Sequence, residues 1–362
     1  MPHFSYNLNS QRILIFVTMN QDEIYMQRCI ELARMGKGMV APNPMVGAVI
    51  VCDDKIIGEG FHKRFGEPHA EVNAIASIED QTLFSQSTIY VSLEPCAHHG
   101  KTPPCADLLV QKGFKRVVIG CKDTHVKVGG KGIERLKKAG LEVEVGVLEK
   151  ECRELNKRFF TFHEKQRPYV ILKWAQSKDG FIDGPRVNNE KGILWISSPE
   201  TRSLVHKWRS EEQTILVGRK TVENDNPSLT VRDVYGNNPI RIIIDSQLKI
   251  SDDVNIFSDE APTIIFNRSR NEVKGSVEWI KIPEVNTRYI LEKLYERNIL
   301  SVFVEGGSRT LQYFIFDNVW DEARVIVGEA IFVEGTKAPS INKVPAHSYK
   351  FSSDHIYHYY RK

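Results

Sequence analysis

The stretch TIYVSLEPCAHHGKTPPC, residues 88–105, decides how the first half of the chain is read. Its β-branched, apolar start, Thr88–Ser92, is a strand that ends where Glu94-Pro95 withdraws a backbone donor. Cys96 follows that strand, and Cys105 opens an apolar helical pattern over 105–112. Upstream, His69-Ala70-Glu71 heads another apolar helix after the Gly66-Glu67-Pro68 loop. One imidazole and two thiolates make three zinc ligands, which leaves the fourth tetrahedral position for water, as a catalytic zinc requires. Each ligand lies near a helix N-terminus, whose partial positive charge favours thiolate over thiol by about 0.3–1 kcal/mol. Glu71, two residues from His69, is placed to take a proton from water and hand it to a leaving amine. That is hydrolytic deamination, with His69, Cys96 and Cys105 as metal ligands and Glu71 as the catalytic residue. The order H-x-E then P-C is that of zinc deaminases, with eight residues between the cysteines where the common form has two. Cys29, Cys52, Cys121 and Cys152 read as small core hydrophobes.

Working outward, residues 22–148 alternate helices and strands. The pattern predicts a helix to about 35, strand Val46–Val51, helix 69–78, strand Thr88–Ser92, helix 105–112, strand Arg116–Gly120, helix 131–139 and strand Leu141–Val147. Buried apolar strands between helices argue an α/β layer fold. Gly129-Gly130-Lys131-Gly132, ahead of the fourth helix, has the look of an anion-binding turn. Residues 149–166 are charged, with helical apolar spacing at Leu155, Phe159 and Phe162, and are read as one connecting helix that Arg167-Pro168 stops. A first domain over 19–148 and a second over 167–362 follow from this division. The second repeats the α/β style with strands at Tyr169–Ala175, Thr214–Val217, Ile240–Ile244, Thr263–Phe266 and Ser301–Val304, helices 199–209, 287–296 and 308–316, and C-terminal strands.

Composition agrees. The 362 residues suit two domains, and 41% hydrophobic with 26% charged residues is a globular balance. No apolar run approaches the ~20 residues of a membrane span, and six cysteines are too few for a disulfide scaffold, so a cytoplasmic, reducing location is expected. Residues 1–18 carry no signal-peptide pattern, and Met19 is a candidate start. A net charge of +3 gives no dedicated nucleic-acid face and leaves small anionic substrates open. That charge and the long inter-cysteine loop count against a nucleic-acid-editing deaminase. A protein that only binds nucleotide would have no use for the intact His69, Glu71, Cys96 and Cys105 set.

EPCAHHGKTPPC, Pro42-Asn43-Pro44-Met45-Val46-Gly47 and the run from Gly58 through Gly60, His62 and Gly66 to His69-Ala70-Glu71 closely resemble the deaminase domain of the bifunctional riboflavin-biosynthesis deaminase/reductase family. The resemblance implies a cytidine-deaminase-like three-layer α/β/α domain acting on a diaminopyrimidinone that carries ribosylamine 5-phosphate. It implies substrate contacts at Asn43, His62, His98 and Lys101. Asn43 can pair with a pyrimidine edge, and His98, His99 and Lys101 can hold polar or phosphate groups. The family reads Asp-Pro-Asn-Pro where this chain has Asp123-Thr124-His125-Val126-Lys127.

In the second half no G-x-G-x-x-G follows a strand, which sets aside a Rossmann dinucleotide site. Strand Ser301–Val304 instead runs through Glu305-Gly306-Gly307-Ser308 into a helix, placing bare N–H groups where a pyrophosphate can dock. This turn, Leu172–Gly180, Trp195, Val217–Pro227, Leu229–Arg232 and Ile244-Asp245-Ser246 resemble the reductase domain of the same family, which is dihydrofolate-reductase-like. By that resemblance Ala175, Trp195, Thr221, Asp225, Ser246 and Gly307 contact NADPH, and Arg209, Leu229, Arg232 and Glu305 contact substrate. Two arginines suit a ribose phosphate and Trp195 a flat ring. Ile193 stands where the family can use a hydroxyl, and Glu305 and Asp179 are the candidate proton donors. The expected whole is a homo-oligomeric enzyme with zinc and NADPH as cofactors, a pyrimidine ribosyl phosphate as substrate, and neither nucleic acid nor membrane as partner.

Overall fold

Val49, Val51, Tyr90 and Val118 face one apolar layer, while Ala48, Ile50, Ile89, Val91, Val117 and Ile119 face another, so alternate residues of three strands serve opposite sides of one sheet. A computed structural model describes residues 19–97, 103–124, 129–186 and 191–361; His98, Lys101, residues 125–127 and the segment before Met19 lie outside them. The first unit runs α1 (Gln21–Arg34), β1 (Gly47–Cys52), β2 (Lys55–Phe61), α2 (Ala70–Ala76), β3 (Thr88–Leu93), α3 (Cys105–Lys112), β4 (Arg116–Cys121), α4 (Lys131–Lys138) and β5 (Glu142–Val145). Its sheet has the order β2-β1-β3-β4-β5, with β2, β1 and β3 antiparallel in turn and β3, β4 and β5 parallel. Helix α1 covers one face and α2, α3 and α4 the other. Asn20 starts α1 with a capping box, accepting the Glu23 N–H at 2.9 Å while its own N–H reaches the Glu23 carboxylate at 2.8 Å.

Strand β2 goes beyond the predicted elements because Gly58 and Gly60 lower its β propensity. The glycines are there for clearance: a Cβ on Gly58 would stand 2.8 Å from the Ala74 carbonyl, and one on Gly60 would collide with the Ala74 amide of α2.

The expected single connecting helix is two, α5 (Glu149–Leu155) and α6 (Lys157–Lys165), broken at Asn156 with φ −104° and ψ 26°. Neither half is a solvated tether. Cys152, Phe159, Phe160 and Phe162 are buried, and their cluster includes Leu300 from the second unit. Arg158 of α6 donates to buried Glu212 at 2.7 Å through Nε, and Arg167 grips Asp321 at 2.6 and 2.7 Å.

The second unit comprises β6 (Tyr169–Gln176), β7 (Phe181–Asp183), α7 (Pro199–Ser210), β8 (Thr214–Gly218), α8 (Arg219–Asp225), β9 (Ile240–Ile244), β10 (Thr263–Asn267), β11 (Glu272–Lys274), β12 (Val277–Lys281), α9 (Thr287–Tyr295), β13 (Ser301–Val304), α10 (Ser308–Phe316), β14 (Glu322–Val327), β15 (Thr336–Lys337), β16 (His347–Phe351) and β17 (Asp354–Tyr360). Ten strands form one sheet, ordered β11-β12-β10-β9-β8-β13-β6-β14-β17-β16. The seven from β12 to β14 are parallel, and antiparallel β11 and the β17–β16 hairpin close the ends. Both faces are covered, so the central strands read as continuous apolar runs. Among the described residues no helix is long and apolar enough to cross a membrane.

Arg241, fully buried on β9, donates to the carbonyls of Ser228, Ile256, Ser258 and Ala261 at 2.8 to 3.2 Å. It thereby pins Ser228 beside Leu229, which holds a left-handed φ of 55°. Arg241→Met should strand these carbonyls and cost about 2–4 kcal/mol, read as a clear fall in thermal melting temperature. An unchanged melting curve would show that water replaces the guanidinium there.

Candidate active sites

Helix α2 begins immediately after His69, α3 begins at Cys105, and Cys96 follows β3, so three rigid elements aim one donor each at a common point. The Cys105 Sγ lies 3.3 Å and the Cys96 Sγ 3.7 Å from His69 Nδ1, and the three donor atoms fall within 4.8 Å of one another. The Cys105 N–H also donates to the Cys96 sulfur at 3.3 Å. Hydrogen bonds from the Cys105 thiol and from His69 lower the Cys96 thiol's pKa well below its ordinary value, which favours the thiolate that a metal takes. Two sulfurs and one imidazole in this compass fit a zinc ion with an open fourth position. Glu71 is buried beside them, and burial, reinforced by the Cys96 charge, pushes its carboxyl up to about 6.

Asn43 and His62 come to the same place from the segment before β1 and from the end of β2. The Asn43 amide nitrogen is 3.0 Å from His62 Nε2, and His62 Nδ1 is 3.1 Å from the Pro68 carbonyl. A carbonyl can only accept, so Nδ1 carries the proton and Nε2 accepts from Asn43. His62 is buried with both nitrogens engaged, which directs its action through Asn43, whose side-chain oxygen is left to recognise a ligand.

The anion expected at the Gly130 turn is internal. Buried Glu94 accepts the N–H groups of Asp123, Gly130, Gly132 and Ile133 at 3.0 to 3.3 Å, supplying the negative charge that the start of α4 attracts. Among the described residues, the N–H groups of Gly130, Gly132 and Ile133 are thus taken by Glu94 instead of being left for a ligand phosphate. The effect of these bonds is to lock the loop carrying Cys96 to the loop after β4.

A cleft of about 610 Å³ opens at the carboxyl ends of β6, β8 and β13, the usual place for a ligand in a parallel sheet. Ala175, Trp195, Thr221, Asp225, Gly307, Arg209, Leu229, Arg232 and Glu305 all line it; Ser246, beyond β9, does not. The Arg202 guanidinium stacks 4.2 Å over the Trp195 ring, and Arg186 bonds Asp225 at 2.9 Å. The Gly307 N–H is not bare: it donates to Thr221 Oγ1 at 3.0 Å. No side chain caps α10, so N–H groups of its first turn face the cleft for an anion, and the fit to a nicotinamide dinucleotide rests on this end and the breadth of the cleft.

The floor of the cleft corrects the expected proton donors. Arg209 grips Glu305 through two bonds of 2.6 and 2.9 Å, and Lys173 approaches the same carboxylate at 3.4 Å. Burial opposes the Glu305 charge, but Arg209 and Lys173 outweigh it and hold the carboxyl down at about 2, so Glu305 carries no proton to give. Asp179 turns away to accept the N–H groups of Phe332 and Val333 at 3.2 and 2.7 Å. Arg209, occupied by Glu305, leaves Arg232 as a cleft arginine without an ion pair among the described residues. Lys173, largely withdrawn from solvent with its pKa lowered chiefly by desolvation, lines the cleft and is a candidate that sequence reasoning passed over. Its signal was a cation inside the otherwise apolar strand YVILKWA.

A family model described as the RibD C-terminal domain matches residues 168–358, and one described as the cytidine and deoxycytidylate deaminase zinc-binding region matches residues 19–121. The chain is 41% identical to the riboflavin biosynthesis protein RibD of Aquifex aeolicus over 87% of this chain and 88% of that one. It is 40% identical to RibD of Bacillus amyloliquefaciens over 88% and 87% respectively. Among solved structures it is similar to a diaminohydroxyphosphoribosylaminopyrimidine deaminase/5-amino-6-(5-phosphoribosylamino)uracil reductase from Thermotoga maritima, with 40% identity, a TM-score of 0.84 and coverage of 93% of this chain and 98% of that one. RibD of Acinetobacter baumannii follows at 31% identity and a TM-score of 0.83, with the same coverage.

Glu94→Gln should place an amide donor against backbone donors and destabilise the first unit by about 2–4 kcal/mol. Thermal melting with and without added zinc checks this; equal melting of variant and parent would mean that the four N–H groups are satisfied elsewhere.

Proposed function

The chain belongs to the RibD family of bifunctional riboflavin-biosynthesis enzymes, and from that premise we propose how its own residues divide two consecutive reactions. The first half deaminates the diaminopyrimidinone ribosylamine 5-phosphate to the corresponding aminouracil and ammonia, and the second reduces the ribosyl group to ribityl with NADPH. The observation that carries the assignment is the convergence of His69, Cys96 and Cys105 within 4.8 Å beside buried Glu71.

His69, Cys96 and Cys105 hold the metal. When bound, zinc activates water at neutral pH, as NADPH supplies hydride to the second reaction. Glu71 takes the proton of the attacking water and delivers it to the departing amine. Asn43, oriented by His62, pairs with the pyrimidine edge. His98 and Lys101 serve as further substrate contacts from the inter-cysteine loop.

In the second cleft the uncapped N-terminus of α10 and the Gly307 turn would hold the cofactor pyrophosphate, Ala175, Trp195, Thr221 and Asp225 would line its site, and Ser246, beyond the cleft wall, is kept as a contact on the family resemblance alone. Arg232 takes the substrate phosphate, and Leu229 packs on the substrate. Reducing ribosyl to ribityl opens the sugar ring, so a proton must reach the released oxygen, and Lys173 donates it. Glu305, fixed by Arg209, holds the ammonium in place.

A homo-oligomer belongs to this reading. Strand β16 is the last of its sheet, and Arg324 Nη1 and both ring nitrogens of His358 are buried in or beside its neighbour strands without hydrogen-bond partners among the described residues. A cytoplasmic location is part of the same reading, and none of the six cysteines is paired in a disulfide.

Metal analysis should find about one zinc per chain, sharply reduced in Cys96→Ser and Cys105→Ser and retained in Cys29→Ser. Equal zinc in all three would overturn the ligand assignment. Glu71→Gln should keep its zinc while ammonia release falls by about 10²–10⁴. Lys173→Met should leave ammonia release intact and slow NADPH oxidation on the deaminated product by a similar factor, and a normal rate there would place the proton donor elsewhere.

A further inference from the structure

Asn156 has no part in either reaction as assigned, yet its side chain is buried and both of its polar atoms are spent on one residue of the deaminase. Its Oδ1 accepts the Met45 N–H at 2.8 Å, and its Nδ2 donates to the Met45 carbonyl at 2.8 Å. The connector forgoes a continuous helix at this residue, since Asn156 separates α5 from α6. A buried amide that satisfies both backbone groups of a loop residue fixes that residue in two directions, as a strand partner would.

Met45 stands two residues from Asn43. From Asn43 the contacts continue through His62 at 3.0 Å and the Pro68 carbonyl at 3.1 Å to the backbone just before His69. The other end of the same segment leans on the second unit: Lys37 pairs with Glu211 at 2.7 Å, and Asn237 donates to the Gly38 carbonyl at 3.3 Å. A cavity of about 210 Å³ lies between these supports, lined by Asn43, Asn156, Arg158 and Glu212 among others. Removing the clamp at Met45 would give the segment room to move.

We propose that Asn156 is a positioning residue for deamination: from the connector between the units it holds the Met45 backbone so that Asn43 is presented to the pyrimidine. This rests on the reading of Asn43 as the pyrimidine contact. Deaminase substrate binding thereby depends on a residue outside the deaminase unit, and the connector works as part of the first site.

The test uses the full-length, zinc-loaded protein and steady-state deamination of the diaminopyrimidinone ribosylamine 5-phosphate. Asn156→Leu, similar in size and without hydrogen bonds, should raise KM on the order of 10-fold with kcat changed by less than about threefold. Zinc content and NADPH-dependent reduction of the deaminated product should stay at parental values. The double variant Asn43→Ala/Asn156→Leu should have the KM of Asn43→Ala alone, because a residue that acts only through Asn43 has nothing left to position. Asn156→Asp, which keeps an acceptor for the Met45 N–H, gives the same comparison with a smaller KM rise if the leucine variant does not fold. Three outcomes overturn the proposal. An unchanged KM with both activities and thermal stability lowered together would make Asn156 a purely structural residue. Multiplying KM effects in the double variant would mean that it acts independently of Asn43. A parental KM in Asn43→Ala would remove the pyrimidine contact itself, and so identifies failure of the underlying reading as distinct from failure of the positioning role.

Discussion

Buried backbone groups must find hydrogen-bond partners, and the loops that carry the functional residues meet this constraint by enlisting buried side chains. Glu94, from the Cys96 loop, serves four N–H groups between β4 and the start of α4, Asn156 both backbone groups of Met45, Arg241 the carbonyl of Ser228 and three more over 256–261, and Thr221 the N–H of Gly307. In each case a loop or the end of a regular element gains the definition of a strand or helix. The apolar cores place the sheets and the helices that carry His69 and Cys105, and these polar side chains fix the loops between them.

The two sites use buried carboxylates to opposite ends. Glu71 lies against a thiolate, where desolvation and like charge both favour the protonated form and its carboxyl rises to about 6. Glu305 is also largely withdrawn from solvent, but Arg209 and Lys173 converge on it and reverse the balance, holding it at about 2. One residue type is pushed towards its protonated form in the first site and held as an anion in the second, the difference being its neighbours. The sign follows for stability: the Glu305 contribution is complete above the ordinary carboxylate range and is lost as pH falls towards 2.

The contact between the halves has a similar economy. Gly38 approaches the Ser210 carbonyl at the end of α7, where a side chain would collide, and Arg209, next to Ser210, is the residue that grips Glu305. The segment bearing Asn43 and the helix bearing Arg209 therefore meet at one point of the domain boundary. Phe162 against Tyr295, with ring centroids 4.5 Å apart, closes the apolar side of the same boundary.

The cluster of His69, Glu71, Cys96 and Cys105 was legible in the sequence because its spacing is local. His69 and Glu71 are two residues apart at a helix start, Cys96 and Cys105 bracket one loop, and strand and helix periods place them without knowledge of the rest. The alternation of helices and strands was legible for the same reason, since periods of 2 and 3.6 are properties of a few consecutive residues. Cleft-lining positions such as Thr221, Leu229 and Glu305 came from the family resemblance, and the fold gathers them. What only the tertiary structure decided was which polar group meets which. Glu94 filling the Gly130 turn, Arg209 turning from phosphate to Glu305, Lys173 lying beside that pair and Asn156 reaching Met45 across 111 positions all join residues far apart in the chain. No period or spacing encodes such partners, because hydrogen bonds and charge pairs depend on distances in space that exist only after the sheets have packed.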